Sequence, residues 1–180
     1  MDTRDYINNL INRKKGRDVS LGHIQAYYFE ETSTLVIEGS NDVKDWITSL
    51  KLFPTKGADL TYHQGYYGAA SMFFHHLWRI GINPQLIVGY SIGGAIAAVL
   101  KSRYYVKAEI LTIGAPKYVR GMIKLEPKVT HYIIEEDWVT KLPFSYKREG
   151  RVVIFRTGIK NPFKAHKLET YLKELKKCGN

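Results

Sequence analysis

Three side chains in this sequence could together make a nucleophile, and the first of them is marked by its neighbours. Ser91 lies in Gly89-Tyr90-Ser91-Ile92-Gly93, a G-x-S-x-G string set between the apolar run Gln85 to Val88 and the alanine-rich run Ile92 to Leu100. The first run follows Pro84 and reads as a short buried strand, and the second reads as a buried helix. A serine on so sharp a strand-to-helix turn needs neighbours without Cβ atoms. Gly89 and Gly93 supply them, and the expected result is an Oγ that stands exposed above the sheet edge.

A serine hydroxyl is a weak nucleophile at neutral pH unless a base removes its proton, and the usual base is a histidine oriented by a buried carboxylate. Where this elbow is used, the chain order is serine, acid, histidine. Asp137 is the only aspartate after Ser91, and His166 is the only histidine after Asp137. Glu135, Glu136 and Glu149 remain open as substitutes for the acid. The other histidines have plainer readings: His75 and His76 are neighbours in a helix and cannot face one site together, while His23 and His131 fall within strands. No H-E-x-x-H and no paired cysteines occur, so neither a metal nor a cofactor is expected.

The elements that must position these groups alternate along the chain. Residues 23–30 and 34–39 read as two strands joined by the short Glu31-Thr32-Ser33 loop into an antiparallel hairpin. Val43, Trp46, Ile47 and Leu50 fall at i, i+3, i+4 and i+7 and predict a helix over 41–50. A longer helix is expected over about 65–80, strands over 108–113, 129–134 and 151–156, and a last helix over about 165–176. The six prolines all fall at boundaries of these elements. This order predicts an α/β chain, with a mainly parallel sheet covered by helices on both faces and the hairpin at one end. In such sheets reactive groups gather at the carboxyl ends of strands, where Ser91 falls.

With 180 residues, 44% of them hydrophobic, the chain suits one domain, 1–180, with a substantial core. Cys178, the only cysteine, can form no bridge within the chain. The start, Met1 to Tyr6, is charged and lacks the apolar stretch of a secretory signal, and no apolar run approaches membrane-spanning length. A cytoplasmic protein is the expectation. The formal net charge of +10 favours contact with something anionic, and lysine and arginine thicken after residue 140. No nucleic-acid module motif accompanies them, so nucleic acid is not expected as a partner and a solvated basic face is the plainer reading. Oligomeric state cannot be read from these residues.

Six segments, in order, resemble the class 3 lipases, the α/β-hydrolases of the fungal triacylglycerol lipase and feruloyl esterase type. Leu35 to Ser40 followed by Trp46-Ile47 resembles the family's strand ending in R-G-[ST] and its tryptophan-bearing helix. His63-Gln64-Gly65-Tyr66 is similar to V-H-x-G-F, and Gly89 to Gly94 to G-H-S-L-G-G. Thr112 to Lys117 is similar to T-F-G-[SA]-P-R, and Glu136 to Pro143 to N-D-[IV]-V-P-[RK]-L-P. His166 with Tyr171 occupies the place of the C-terminal histidine segment. The resemblance implies an α/β-hydrolase fold with Ser91 as nucleophile, Asp137 as orienting acid and His166 as general base and acid. It also implies an oxyanion hole at Ser40 and the Ile92 N–H; for Ser40 a helix N-terminal cap is the competing reading. Glu38 stands where the family commonly has arginine, Tyr90 replaces the elbow histidine, and the chain is much shorter than secreted fungal members.

The helix predicted over 41–50 lies where family lipases keep a mobile lid. Val43, Trp46 and Ile47 would then cover an acyl pocket; a permanently packed helix is the alternative. The expected activity is that of a serine carboxylester hydrolase acting on lipid or other acyl esters, with transient contact to an anionic membrane surface. A thioesterase or acyltransferase would use the same three residues, and a basic binding module on a relic hydrolase fold is the reading from another class. The missing signal peptide and disulfides of secreted members point to a cytoplasmic or phage-encoded setting.

Overall fold

The computed structural model of the chain describes residues 9–39, 54–57, 60–104, 106–121 and 128–178. Its frame is a seven-stranded sheet built from β1 (Arg17–Asp18), β2 (Ala26–Phe29), β3 (Thr34–Ile37), β6 (Leu86–Tyr90), β7 (Glu109–Ile113), β9 (Val129–Ile134) and β10 (Arg151–Phe155), in the order β1-β2-β3-β6-β7-β9-β10. The five strands from β3 to β10 run parallel. The two at the other end are antiparallel, and β2 and β3 form the expected hairpin in the register Ala26↔Ile37 to Phe29↔Thr34.

The central strands are apolar on both faces because both faces are covered. Leu35, Ile37, Ile87 and Ile110 point to the side of α1 (Gln64–Arg79) and α2 (Ile92–Tyr104). Val36, Val88, Leu111 and Ile113 point to the side of α4 (Leu168–Cys178), where Tyr171 and Leu175 pack. Nine residues of α2 are buried, from Gly93 around to Ser102. A helix apolar on all sides must be enclosed, and this one lies between the sheet and α1.

Three differences from the sequence reading have physical causes. A second sheet, β4 (Pro54–Gly57), β5 (Leu60–His63) and β8 (Val119–Arg120), was not foreseen. Its strands are two to four residues long, too short to print an alternating pattern. The helix expected over 165–176 is split into α3 (Pro162–Ala165) and α4, with His166 as the C-cap of α3. Asn161 starts α3 by accepting from the N–H groups of Phe163 and Lys164 at 3.0 and 3.1 Å, and Pro162 sits at its first position. His23, expected within a strand, lies in a turn closed by reciprocal Leu21 and Ile24 backbone bonds, with Gly22 at φ +57°. The helix predicted over 41–50 lies outside the described residues. No helix among the described residues is long and apolar enough to cross a membrane.

Candidate active site

Because β6 ends at Tyr90 and α2 begins at Ile92, Ser91 alone makes the turn. It does so at φ +53°, a region that a non-glycine residue adopts only when its surroundings impose it. Its N–H is held by the Ile113 carbonyl at 2.8 Å, and its own carbonyl accepts from Gly94 at 3.0 Å. The flanking glycines are required by close approach. A Cβ on Gly89 would lie 2.5 Å from the Gly93 carbonyl oxygen, and one on Gly93 would lie 2.5 Å from that of Glu38.

The serine hydroxyl meets the histidine that elimination selected. Ser91 Oγ is 2.9 Å from His166 Nε2, and His166 Nδ1 is 2.8 Å from Asp137 Oδ2. A carboxylate only accepts, so Nδ1 carries the proton and Nε2 is left to accept from the hydroxyl. All three side chains are buried. For Ser91 this corrects the expectation of an exposed hydroxyl.

Asp137 is fixed by three donors. Its Oδ1 accepts from the Val139 N–H at 2.9 Å, and its Oδ2 accepts from His166 and from the Tyr171 hydroxyl at 2.7 Å. The same Tyr171 oxygen accepts from the Ile134 N–H at 3.0 Å. Burial, and then the neighbouring Asp137 charge, push the Tyr171 phenol well above its ordinary pKa, so it stays a donor. Two of the glutamates weighed as alternative acids have carboxylates engaged elsewhere: Glu135 pairs with Arg156 at 2.9 Å, and Glu136 accepts from the N–H groups of Thr157 and Gly158. The hydrogen bond to His166 Nδ1 comes from Asp137 and not from Glu149.

Two tyrosines at the site carry roles that motif spacing did not reveal. Tyr171 had been noted only as part of the histidine segment. Tyr90, noted only as a replacement, donates its hydroxyl to the His166 carbonyl at 2.6 Å and lays its ring beside the imidazole, 5.5 Å between centroids and 23° between planes. A hydroxyl five residues after the histidine and a phenol beside the nucleophile were the available signals. Both bonds span more than thirty positions, beyond what local pattern encodes.

His131 is not part of this group. It is buried between Thr112 Oγ1 at 2.6 Å and the Glu149 carbonyl at 2.8 Å, and burial pushes its pKa down to about 4. Ile92 opens α2, where backbone N–H groups have no partner within the helix and the dipole favours negative charge. Ser40 and the lid residues Val43, Trp46 and Ile47 lie outside the described residues. Glu38 forms an ion pair with Arg13, so a cation stands beside the position where the family resemblance expects arginine. A cleft of about 200 Å³ between Ile24, Glu38, Gly39, Tyr66, Ile92 and Ile96 opens beside the first turn of α2. No three histidine, cysteine, aspartate or glutamate side chains among the described residues gather closely enough to hold a metal ion.

No sequence-family model and no curated protein sequence matches the chain. Solved structures do. The MDLA protein of Penicillium cyclopium superimposes with a TM-score of 0.60 at 17% identity, covering 78% of this chain and 63% of that one. The Lip2 lipase of Yarrowia lipolytica gives 0.56 at 15%, covering 72% and 59%. The Rhizomucor miehei lipase in complex with its propeptide gives 0.54 at 16%, covering 89% and 65%.

The chain has the fungal lipase fold.

At that level the resemblance read from the six segments is borne out, as is the α/β-hydrolase architecture. The chain spans less than two thirds of the length of each of these neighbours.

Proposed function

We propose that the chain is a serine hydrolase of carboxylic esters, with lipid esters as the substrate class. One observation carries this reading: a buried serine, histidine and aspartate in a continuous hydrogen-bonded line, with the serine on a strained strand-to-helix turn. The lipase fold raises the prior without supplying the chemistry.

The geometry supports the following course. Ser91 Oγ attacks the ester carbonyl as Nε2 of His166 takes its proton, and Asp137 stabilises the resulting imidazolium. The oxyanion falls at the start of α2, where the Ile92 N–H serves as one donor; Ser40 is the second by family resemblance. A hole of this kind contributes about a hundredfold or more per donor. The alcohol leaves with the proton from His166, and water activated by the same nitrogen releases the acid. Because Ser91 is buried, an ester reaches it only after an opening movement.

The test is labelling by a fluorophosphonate probe followed by hydrolysis of short and medium p-nitrophenyl esters. Ser91→Ala should abolish labelling and lower kcat by about a millionfold. Absence of labelling and of turnover in the parent, on every ester tried, would overturn the reading. A thioesterase or acyltransferase would label equally and be separated by its acceptor.

A further inference from the structure

The two loops that bring Asp137 and His166 together also hold apolar side chains out into solvent. Trp138 is 64% exposed although both its neighbours, Asp137 and Val139, are buried. The Lys141 N–H donates to the Trp138 carbonyl at 3.0 Å and the Val139 N–H to Asp137 Oδ1 at 2.9 Å, so the backbone that faces the indole outward is pinned on both sides. Phe144 is 80% exposed. It stands at the tip of a turn in which the Tyr146 N–H donates to the Pro143 carbonyl at 3.0 Å. Pro143 and Tyr146 are both buried, Arg120 lies over the Tyr146 ring at 4.5 Å, and the same arginine bonds the Ser145 hydroxyl. The backbone beneath both aromatics is thus hydrogen-bonded in place.

Charge on these loops is one-sided. Between Asp137 and Leu168 the sequence carries eight lysines and arginines against one glutamate, Glu149. Lys141 and Lys147 are exposed on the loop that carries both aromatics, and Lys160, Lys164 and Lys167 are exposed around α3, which ends at His166. Because His166 Nδ1 and Asp137 Oδ2 touch at 2.8 Å, the two sets of lysines belong to adjoining segments.

We infer that this rim is the surface by which the protein seats on an anionic lipid bilayer, with Trp138 and Phe144 entering the headgroup boundary and the lysines meeting lipid phosphates. Only a bilayer surface offers an apolar layer and an anionic layer within one side chain's length of each other. Nucleic acid would use the lysines but leave a lone phenylalanine on a turn tip unsatisfied, since stacking platforms need aromatic rings set along a groove. The inference deepens the proposed function by naming the physical form of the substrate, a lipid aggregate of negative charge.

The experiment uses full-length Ser91→Ala protein, so that no lipid is consumed, and flotation with two vesicle preparations. One is phosphatidylcholine alone; in the other a third of the lipid is phosphatidylglycerol. Binding is expected to the anionic vesicles and to fall with added salt. Phe144→Ser and Trp138→Ser should each lower the partition coefficient about tenfold or more. Glutamine at Lys160, Lys164 and Lys167 should lower it about fivefold per lysine, on anionic vesicles only. In the Ser91-intact chain, Phe144→Ser should hydrolyse a soluble ester like the parent, which shows that the fold survives. Vesicle binding unchanged by Phe144→Ser, equal binding to both lipid preparations, or salt-sensitive retention of duplex DNA without vesicle binding would each overturn the inference. Vesicle binding in a chain whose parent hydrolyses no ester would leave the surface standing and remove the esterase, so the two failures are distinguishable.

Discussion

Removing a single oxygen from Tyr171 tests whether the carboxylate at the centre of the site is held as the geometry says. Tyr171→Phe keeps the ring that fills the space beside Gly114 and deletes two buried hydrogen bonds, one donated to Asp137 Oδ2 at 2.7 Å and one accepted from the Ile134 N–H at 3.0 Å. The first is charge-assisted, and its loss costs about 1.5–3 kcal/mol; the second leaves a buried N–H unpaired at about 1–3 kcal/mol. The sum is about 2.5–6 kcal/mol. Tyr118→Phe is the matched control. Its hydroxyl also donates once and accepts once, to the Glu149 carbonyl at 3.2 Å and from the Glu149 N–H at 3.1 Å, with no charge involved. It should cost about 2 kcal/mol. Urea unfolding at neutral pH reads both, and turnover of a soluble ester separates them further. Tyr171→Phe lets the acid and its imidazole wander and should lower kcat about tenfold or more, whereas Tyr118→Phe should leave kcat unchanged. Equal stability losses together with equal kcat in the two variants would refute the assignment of Tyr171 as the residue that positions Asp137.

Gly93→Ala should destabilise the chain by about 3 kcal/mol or prevent folding, because the added methyl would lie 2.5 Å from the Glu38 carbonyl oxygen, just past the end of β3; a soluble, cooperatively melting variant of parental stability would contradict the close approach. His131 titrates near pH 4 in the fold against an ordinary 6.5. The unfolded chain therefore binds the proton first, and stability should decline as pH falls from about 6.5 towards about 4, by about 3 kcal/mol over the window. A His131 ring resonance in NMR that shifts between pH 7 and pH 5.5 would disprove the depressed value. Asn161→Ala removes the cap of α3 and should cost about 1 kcal/mol while raising the amide exchange rates of Phe163 and Lys164, whose N–H groups it holds; unchanged exchange would show that the cap is not what starts this helix.

The parallel frame was legible in the sequence because each of its strands is an apolar run bounded by proline or glycine. Leu86 to Tyr90 after Pro84 is the clearest case. Asp137 and His166 were legible for another reason: chain order left one aspartate and one histidine, with Glu135, Glu136 and Glu149 still open as the acid until the 2.8 Å contact between His166 and Asp137 was seen. The second sheet was not legible because Pro54–Gly57, Leu60–His63 and Val119–Arg120 are too short to carry a period. The break at His166 was not legible either, since Leu168, Leu172 and Leu175 continue a helical stripe that hides the end of α3 at Ala165.

Tyr90 and Tyr171 hold His166 and Asp137 through separate bonds, one to the His166 carbonyl and the other to the Asp137 carboxylate. The loops that carry these groups are tied again through Arg148, which bonds the carbonyls of Ala115 at 3.0 Å and of Thr140. With so many long-range bonds, the Asp137 to His166 contact is stiff before any substrate arrives, and preorganisation of this kind lowers the reorganisation needed at the transition state. Stiffness has a second consequence. The aromatic tips at Trp138 and Phe144 share this frame, so seating them on a bilayer would present the site at a fixed height and tilt relative to the ester layer. On the proposed reading, a movement that uncovers Ser91 leaves this frame in place, because moving the frame itself would break the hydrogen-bonded line from Ser91 through His166 to Asp137.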